Sequence, residues 1–159
     1  MRGISFEIPN AYGKYLLELL DGINIKEWTW KIGSGESYVI QRDTLGKPLF
    51  PTQPLFSTTC LLAGDELHKN ISVDDYYLIF VDLKAFSKTS NVRDITTYQE
   101  FIESDCQFVL LIVDCSYVTI YAKDQNTIQH LFLKAKANGY ENTEYITDAN
   151  DGRTTLIAF

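Results

Sequence analysis

The sequence predicts an α+β fold, mainly antiparallel sheet with about three helices. Three observations carry that prediction. Short alternating apolar segments, the mark of half-buried strands, outnumber segments with helical periodicity. Most are joined by short turns, which favours antiparallel pairing over crossover connections. Two segments, residues 76–83 and 108–113, are apolar on both faces, as central strands covered from two sides must be.

Taken in order, residues 3–8 alternate as a strand and stop at Pro9. A helix follows from Asn10, a suitable cap, with Tyr12, Tyr15, Leu16 and Leu19 on one face. Asp21-Gly22 ends it. Residues 28–32 alternate as a strand, Gly33-Ser34-Gly35 turns the chain, and residues 38–41 are expected to return as the hairpin partner. Residues 42–58 hold Pro48, Pro51 and Pro54 and read as a loop. Residues 57–63 suit a strand or a short helix, and Asp65 is placed to cap a helical turn over 65–69. A helix over 97–104 should turn Tyr98, Phe101 and Ile102 inward.

The C-terminal part repeats the opening order. Residues 117–122 read as a strand, and Asp124 can cap a helix reaching Asn138, with Gly139 as its stop. That helix buries Ile128, Leu131, Phe132 and Ala135, the first helix's set displaced by 116 positions. Strands at 143–147 and 154–159 follow across a turn at 148–152. Two β-α-β-β units, 3–41 and 117–159, would then flank the central strands. Duplication and recurrence of a common supersecondary unit both explain the pattern.

The chain has 159 residues, suited to a single globular domain over 1–159, and its aromatic content is high: 10 Tyr, 9 Phe and 2 Trp. Net charge is −7, divided evenly: residues 1–80 carry 7 basic and 10 acidic groups, residues 81–159 carry 7 and 11. A phosphate backbone needs a basic face, so nucleic acid is not an expected partner. One stretch stands out: Glu141, Glu144, Asp148 and Asp151, with no basic residue between Lys136 and Arg153. It reads as a solvated rim or as a surface for a basic protein. No apolar run approaches a membrane span or a secretory signal. Cys60, Cys106 and Cys115 form no disulfide framework, and Cys106 and Cys115 bracket a strand that would hold them roughly 30 Å apart. Reduced thiols in the cytoplasm are the expectation.

No phosphate loop, HExxH, CxxC or GxSxG motif occurs, and no cofactor or metal is expected. His130 should face solvent, and His68 belongs to a helical turn, in a spacing that matches no metal ligand set. The sharpest constellation is Asp82 and Asp114, each closing a run of four apolar residues. On parallel neighbouring strands the two carboxylates would meet, about 4.8 Å apart, and could share a metal. On antiparallel strands they would not. Pro48, Pro51 and Pro54, three residues apart, fit a polyproline II ligand or a rigid loop laid over the sheet.

The opening residues, Met1-Arg2-Gly3-Ile4-Ser5-Phe6-Glu7-Ile8-Pro9-Asn10 with Tyr12-Gly13-Lys14-Tyr15-Leu16, resemble the start of a domain-of-unknown-function family of small proteins from low-GC Gram-positive bacteria. The resemblance implies a bacterial cytoplasmic protein and brings no catalytic motif with it. Small, acidic, aromatic-rich α+β domains without catalytic motifs resemble immunity proteins, so a non-catalytic, immunity-protein-like domain that binds a basic protein is the leading expectation. A small metal-assisted enzyme built on Asp82 and Asp114 is one alternative. The other is a homo-oligomeric structural protein pairing through a strand at 154–159; either a monomer or a small homo-oligomer is compatible with the sequence.

Overall fold

The computed structural model describes residues 1–57, 61–87 and 91–159; Cys60 and part of the 57–63 segment lie outside them. Its strands are β1 (Gly3–Glu7), β2 (Trp28–Ile32), β3 (Glu36–Ile40), β4 (Gln53–Pro54), β5 (Leu61–Ala63), β6 (Asp75–Ser87), β7 (Cys106–Val113), β8 (Tyr117–Ala122) and β9 (Glu141–Ile146). Its helices are α1 (Tyr15–Leu20), α2 (Gly64–Ser72), α3 (Tyr98–Glu103) and α4 (Gln125–Ala137). The strands form one sheet in the order β4-β3-β6-β7-β8-β1-β9, with β2 also along β6 and β5 outside β2. Every pairing between these strands is antiparallel, so the α+β expectation holds.

The 13-residue β6 organises one half of the sheet. Its first part pairs with β3 and its second with β2, both antiparallel. Strands β2 and β3 therefore run in the same direction along one side of β6, and the hairpin expected between them does not form. The glycines explain why. Gly33 N–H donates to the Asp82 carbonyl at 2.8 Å, and a Cβ on Gly35 would sit 2.5 Å from the Phe80 carbonyl oxygen. These residues let the chain press against β6 and continue along it, so they mark close approach rather than reversal.

On one face, α1, α2 and α4 cover the sheet. Leu16, Leu19 and Leu20 of α1, Leu67 and Ile71 of α2, and Ile128, Leu131 and Ala135 of α4 pack on Ile4, Phe6, Trp30, Leu83, Phe108 and Leu110. Asp124 caps α4 as expected, accepting from Thr127 N–H at 2.9 Å. The second face has a smaller core: Phe86, Phe101, Val109, Leu111, Tyr121 and Ile146 beneath Ile95, Leu156 and Ala158. Helix α3 closes it, started by a capping box between Thr97 and Glu100.

Several local expectations are corrected. Gly13 exchanges two backbone hydrogen bonds with Tyr76, which holds the chain extended and delays α1 until Tyr15. Asn10 is therefore no cap, and Tyr12 lies outside the helix, exposed and edge-on to Tyr77. Asp65 falls inside the first turn of α2, with Ala63 at the cap position. Ile102 is exposed while Phe101 is fully buried. Residues 154–159 form no strand; they lie across the second face, tied by Leu156 N–H to the Thr96 carbonyl and by Ala158 N–H to Asp82. The expected pair of β-α-β-β units thus lacks both of its hairpins, although β1 and β8 do lie side by side.

Candidate functional site

Strands β6 and β7 are antiparallel, with Asp82 opposite Leu111. Asp114 lies three residues farther along, about 10 Å at 3.4 Å per residue, in the turn into β8. There it is exposed with φ +50°. The paired-carboxylate centre is not assembled. Asp82 instead meets Lys84, two residues on along the same strand and therefore on the same face, at 2.6 Å. Both side chains are more than nine-tenths buried, at 3% and 7% exposure. A strand drawn only to residue 83 misses this pair; an acid and a base two apart in an apolar strand were its legible signal.

The acidic stretch divides in two. Asp148 and Asp151 both accept from Arg2, at 2.9 and 3.1 Å. The Asp151 side chain is buried and also accepts from the Tyr121 hydroxyl at 2.9 Å. Burial and this carboxylate together push the Tyr121 hydroxyl well above its ordinary range. Arg2 in turn lies 4.0 Å over the Tyr98 ring. These two acids tie the β9 turn to the start of β1 and to α3, a structural task. Glu141 and Glu144 stay exposed on β9.

Cross-strand register places those two glutamates in a larger surface. Ser5 pairs with Thr119 and Glu144, and Glu7 pairs with Tyr117 and Glu141. Directly opposed residues share a face, so all six point to the second face, away from Ile4 and Phe6. The smaller core covers this face only at its other end, over Tyr121 and Ile146. What remains is an open strip of sheet bearing Glu7, Glu141 and Glu144, with Tyr117 standing 55% exposed at its side. None of the three carboxylates forms an ion pair among the described residues. Sequence reasoning missed Glu7 and Tyr117 because only strand order brings β1 beside β9 and β8 beside β1.

A cleft of about 920 Å³ opens on the helical side between α1, α2 and the end of α4. Its floor includes Leu17, Leu20, Ile23 and Ile71, and half-buried His68 lines one wall. Several of its polar groups bind one another. Lys134 donates to the Asp21 carboxylate at 2.8 Å and holds that carboxyl below the usual range. The Tyr140 hydroxyl donates to Glu18 at 2.7 Å, and burial followed by that carboxylate raises its pKa. His130 is exposed as expected, with Nε2 3.4 Å from the Asp21 carbonyl.

The proline loop also divides. Pro54 lies in β4 opposite Tyr38, so the three prolines do not form one polyproline helix. Leu55 is buried and Phe56 packs on the core, whereas Leu49 and Phe50 are exposed. Pro48 is half-buried, and Pro51 and Pro54 are exposed. Cys106 and Cys115 are both free thiols. Burial pushes the Cys106 thiol up to about 11, so it is a poor nucleophile. No helix among the described residues is long and apolar enough to cross a membrane.

A comparison with solved structures finds no match. Among curated proteins, the chain is 41% identical over 155 residues to "Uncharacterized protein YncE" of Bacillus subtilis (strain 168), covering 98% of this chain and 97% of that one. That organism is a low-GC Gram-positive bacterium, the group implied by the opening residues. A family profile described as "Protein of unknown function (DUF2691)" matches residues 1–157, and the chain belongs to that family.

Proposed function

We propose that this chain is a non-catalytic, cytoplasmic binding protein of the immunity-protein type, which docks a basic protein on the open strip of its sheet. The observation that carries the reading is the strip itself: Glu7, Glu141 and Glu144 on adjacent strands, free of ion pairs among the described residues, with exposed Tyr117 beside them. A net charge of −7 speeds encounter with a cationic partner, and an exposed tyrosine on a rigid strand provides an anchor. The free thiols of Cys106 and Cys115 suit a reducing compartment.

Immobilised protein incubated with lysate of its source bacterium tests the reading. The expected result is capture of a basic protein, weakened tenfold or more in Glu141→Lys/Glu144→Lys and sharply by added salt. The control Asp65→Lys/Glu66→Lys, with two exposed acids of α2 reversed, should capture it as the unmodified chain does. Capture of no basic protein, or equal loss in both variants, overturns the reading.

A further inference from the structure

The second face holds a different feature toward its other edge, beyond β7. Lys31 on β2 lies directly opposite Lys84 on β6. Two ammonium groups in such positions share a face with Cβ atoms about 5 Å apart, an arrangement that is destabilising without a counter-charge. Asp82 supplies one counter-charge to Lys84 at 2.6 Å, and its other oxygen is taken by Ala158 N–H at 3.2 Å. Asp94 supplies the second, to Lys31 at 3.0 Å, from a side chain that is 84% exposed. An ion pair with so exposed a partner contributes little, so a ligand can displace Asp94 readily.

Between these groups lies a hollow of about 350 Å³. Lys31 and Lys84, their partners Asp94 and Asp82, and Ser34 and Thr96 contribute to its polar lining, and Ile157 and Phe159 to its apolar wall. Gly33 keeps it open, since a Cβ there would lie 2.7 Å from Asp82 Cγ. An ammonium carries three N–H donors, and among the described residues Lys84 has one acceptor, Asp82. The buried cation thus has donor capacity left, on the edge of a space at the small end of the ligand-pocket range.

We propose that this hollow is a binding site for a small oxyanion, a carboxylate or phosphate group, bridging Lys31 and Lys84. The anion replaces Asp94 on Lys31 and takes the remaining N–H donors of Lys84, with the Ser34 hydroxyl as a neutral donor; the Thr96 hydroxyl already donates to Glu100 at 2.8 Å. A compact apolar remainder would rest on Ile157 and Phe159. An anion site in a protein of net charge −7 needs such local construction, because the overall field repels the ligand. The inference is independent of the docking strip, which uses other residues.

Titrations with sodium phosphate and sodium benzoate, against sodium chloride at matched ionic strength and followed by amide shifts, test it. The expected result is a saturable shift of Gly33 and Ser34 with phosphate, benzoate or both, which also separates the phosphate class from the carboxylate class. Lys31→Met should weaken binding at least tenfold, and Lys31→Arg should retain most of it. Lys134→Met, altered in the helical-side cleft, should bind as the unmodified chain does. Shifts no larger than those with chloride, unchanged binding in Lys31→Met, or equal loss in Lys134→Met overturn the site.

Discussion

The two faces of the sheet are built from the same strands and do different work. The helical face has three helices over aromatic and aliphatic side chains; Phe108 there packs against both Trp28 and Trp30 with ring centroids 5.9 Å away. The second face has one short helix, an irregular segment at 154–159, a buried ion pair and an open strip. The difference follows from what each cover can exclude. Helices with continuous apolar stripes remove a whole face from water. An irregular segment covers only the width of its own chain, so charged groups persist beside it and part of the sheet stays open. Stability should concentrate on the first face and recognition on the second.

That contrast can be broken by experiment, starting with the largest effect. Phe108→Ala should lower unfolding free energy by about 3–5 kcal/mol in urea denaturation, the range for a buried aromatic. Leu156→Ala on the second face should lower it by about 2 kcal/mol, since an irregular cover can settle into the gap. Equal losses would mean that both faces support the fold alike.

The ion pair gives a sharper test. Lys84→Met leaves the Asp82 carboxylate buried without its cation and should destabilise by about 3–5 kcal/mol. The double variant Asp82→Leu/Lys84→Met should recover most of that loss, because well-packed apolar residues replace buried pairs at little net cost. If the double variant is as unstable as the single one, the pair is required for the fold itself.

The smallest effect lies at the start of α4. Asp124→Ala removes the cap and should destabilise by about 1 kcal/mol near neutral pH. The Thr127 hydroxyl and backbone N–H hold the Asp124 carboxyl below its ordinary pKa. A carboxyl with a lowered folded pKa stabilises above the unfolded value, about 3.9, and loses that contribution as pH falls through the folded value. The gap between Asp124→Ala and the unmodified chain should therefore close below about pH 4 in acid-unfolding curves. A gap that persists there would assign the loss to something other than the ionised cap.

Much of the fold is legible in the sequence. Strands β1, β7 and β8, helix α4 with its cap, and the antiparallel class all follow from periodicity and end signals within single segments. The failures share one cause. Gly33-Ser34-Gly35 carries the composition of a turn, yet the backbone of β6 alongside it decides that the chain runs on. Residues 154–159 alternate like a strand, yet among the described residues they pair with no neighbouring strand and lie across the sheet instead. Tyr12 fits a helical face, yet the bridge between Gly13 and Tyr76 removes it from the helix.

The surfaces divide in the same way. Glu141 and Glu144 were visible as an acidic stretch, but Asp148 and Asp151 belong to that stretch only in sequence, because Arg2 lies next to them in space. Propensity, periodicity and charge act within a few residues, and they suffice for β1, β7, β8, α4, the excess of acids and the α+β class. Tertiary structure decided which charges are neutralised, which strands are neighbours and which part of the sheet stays open. Those depend on pairing across more than a hundred residues, where one change of strand order exchanges every partner.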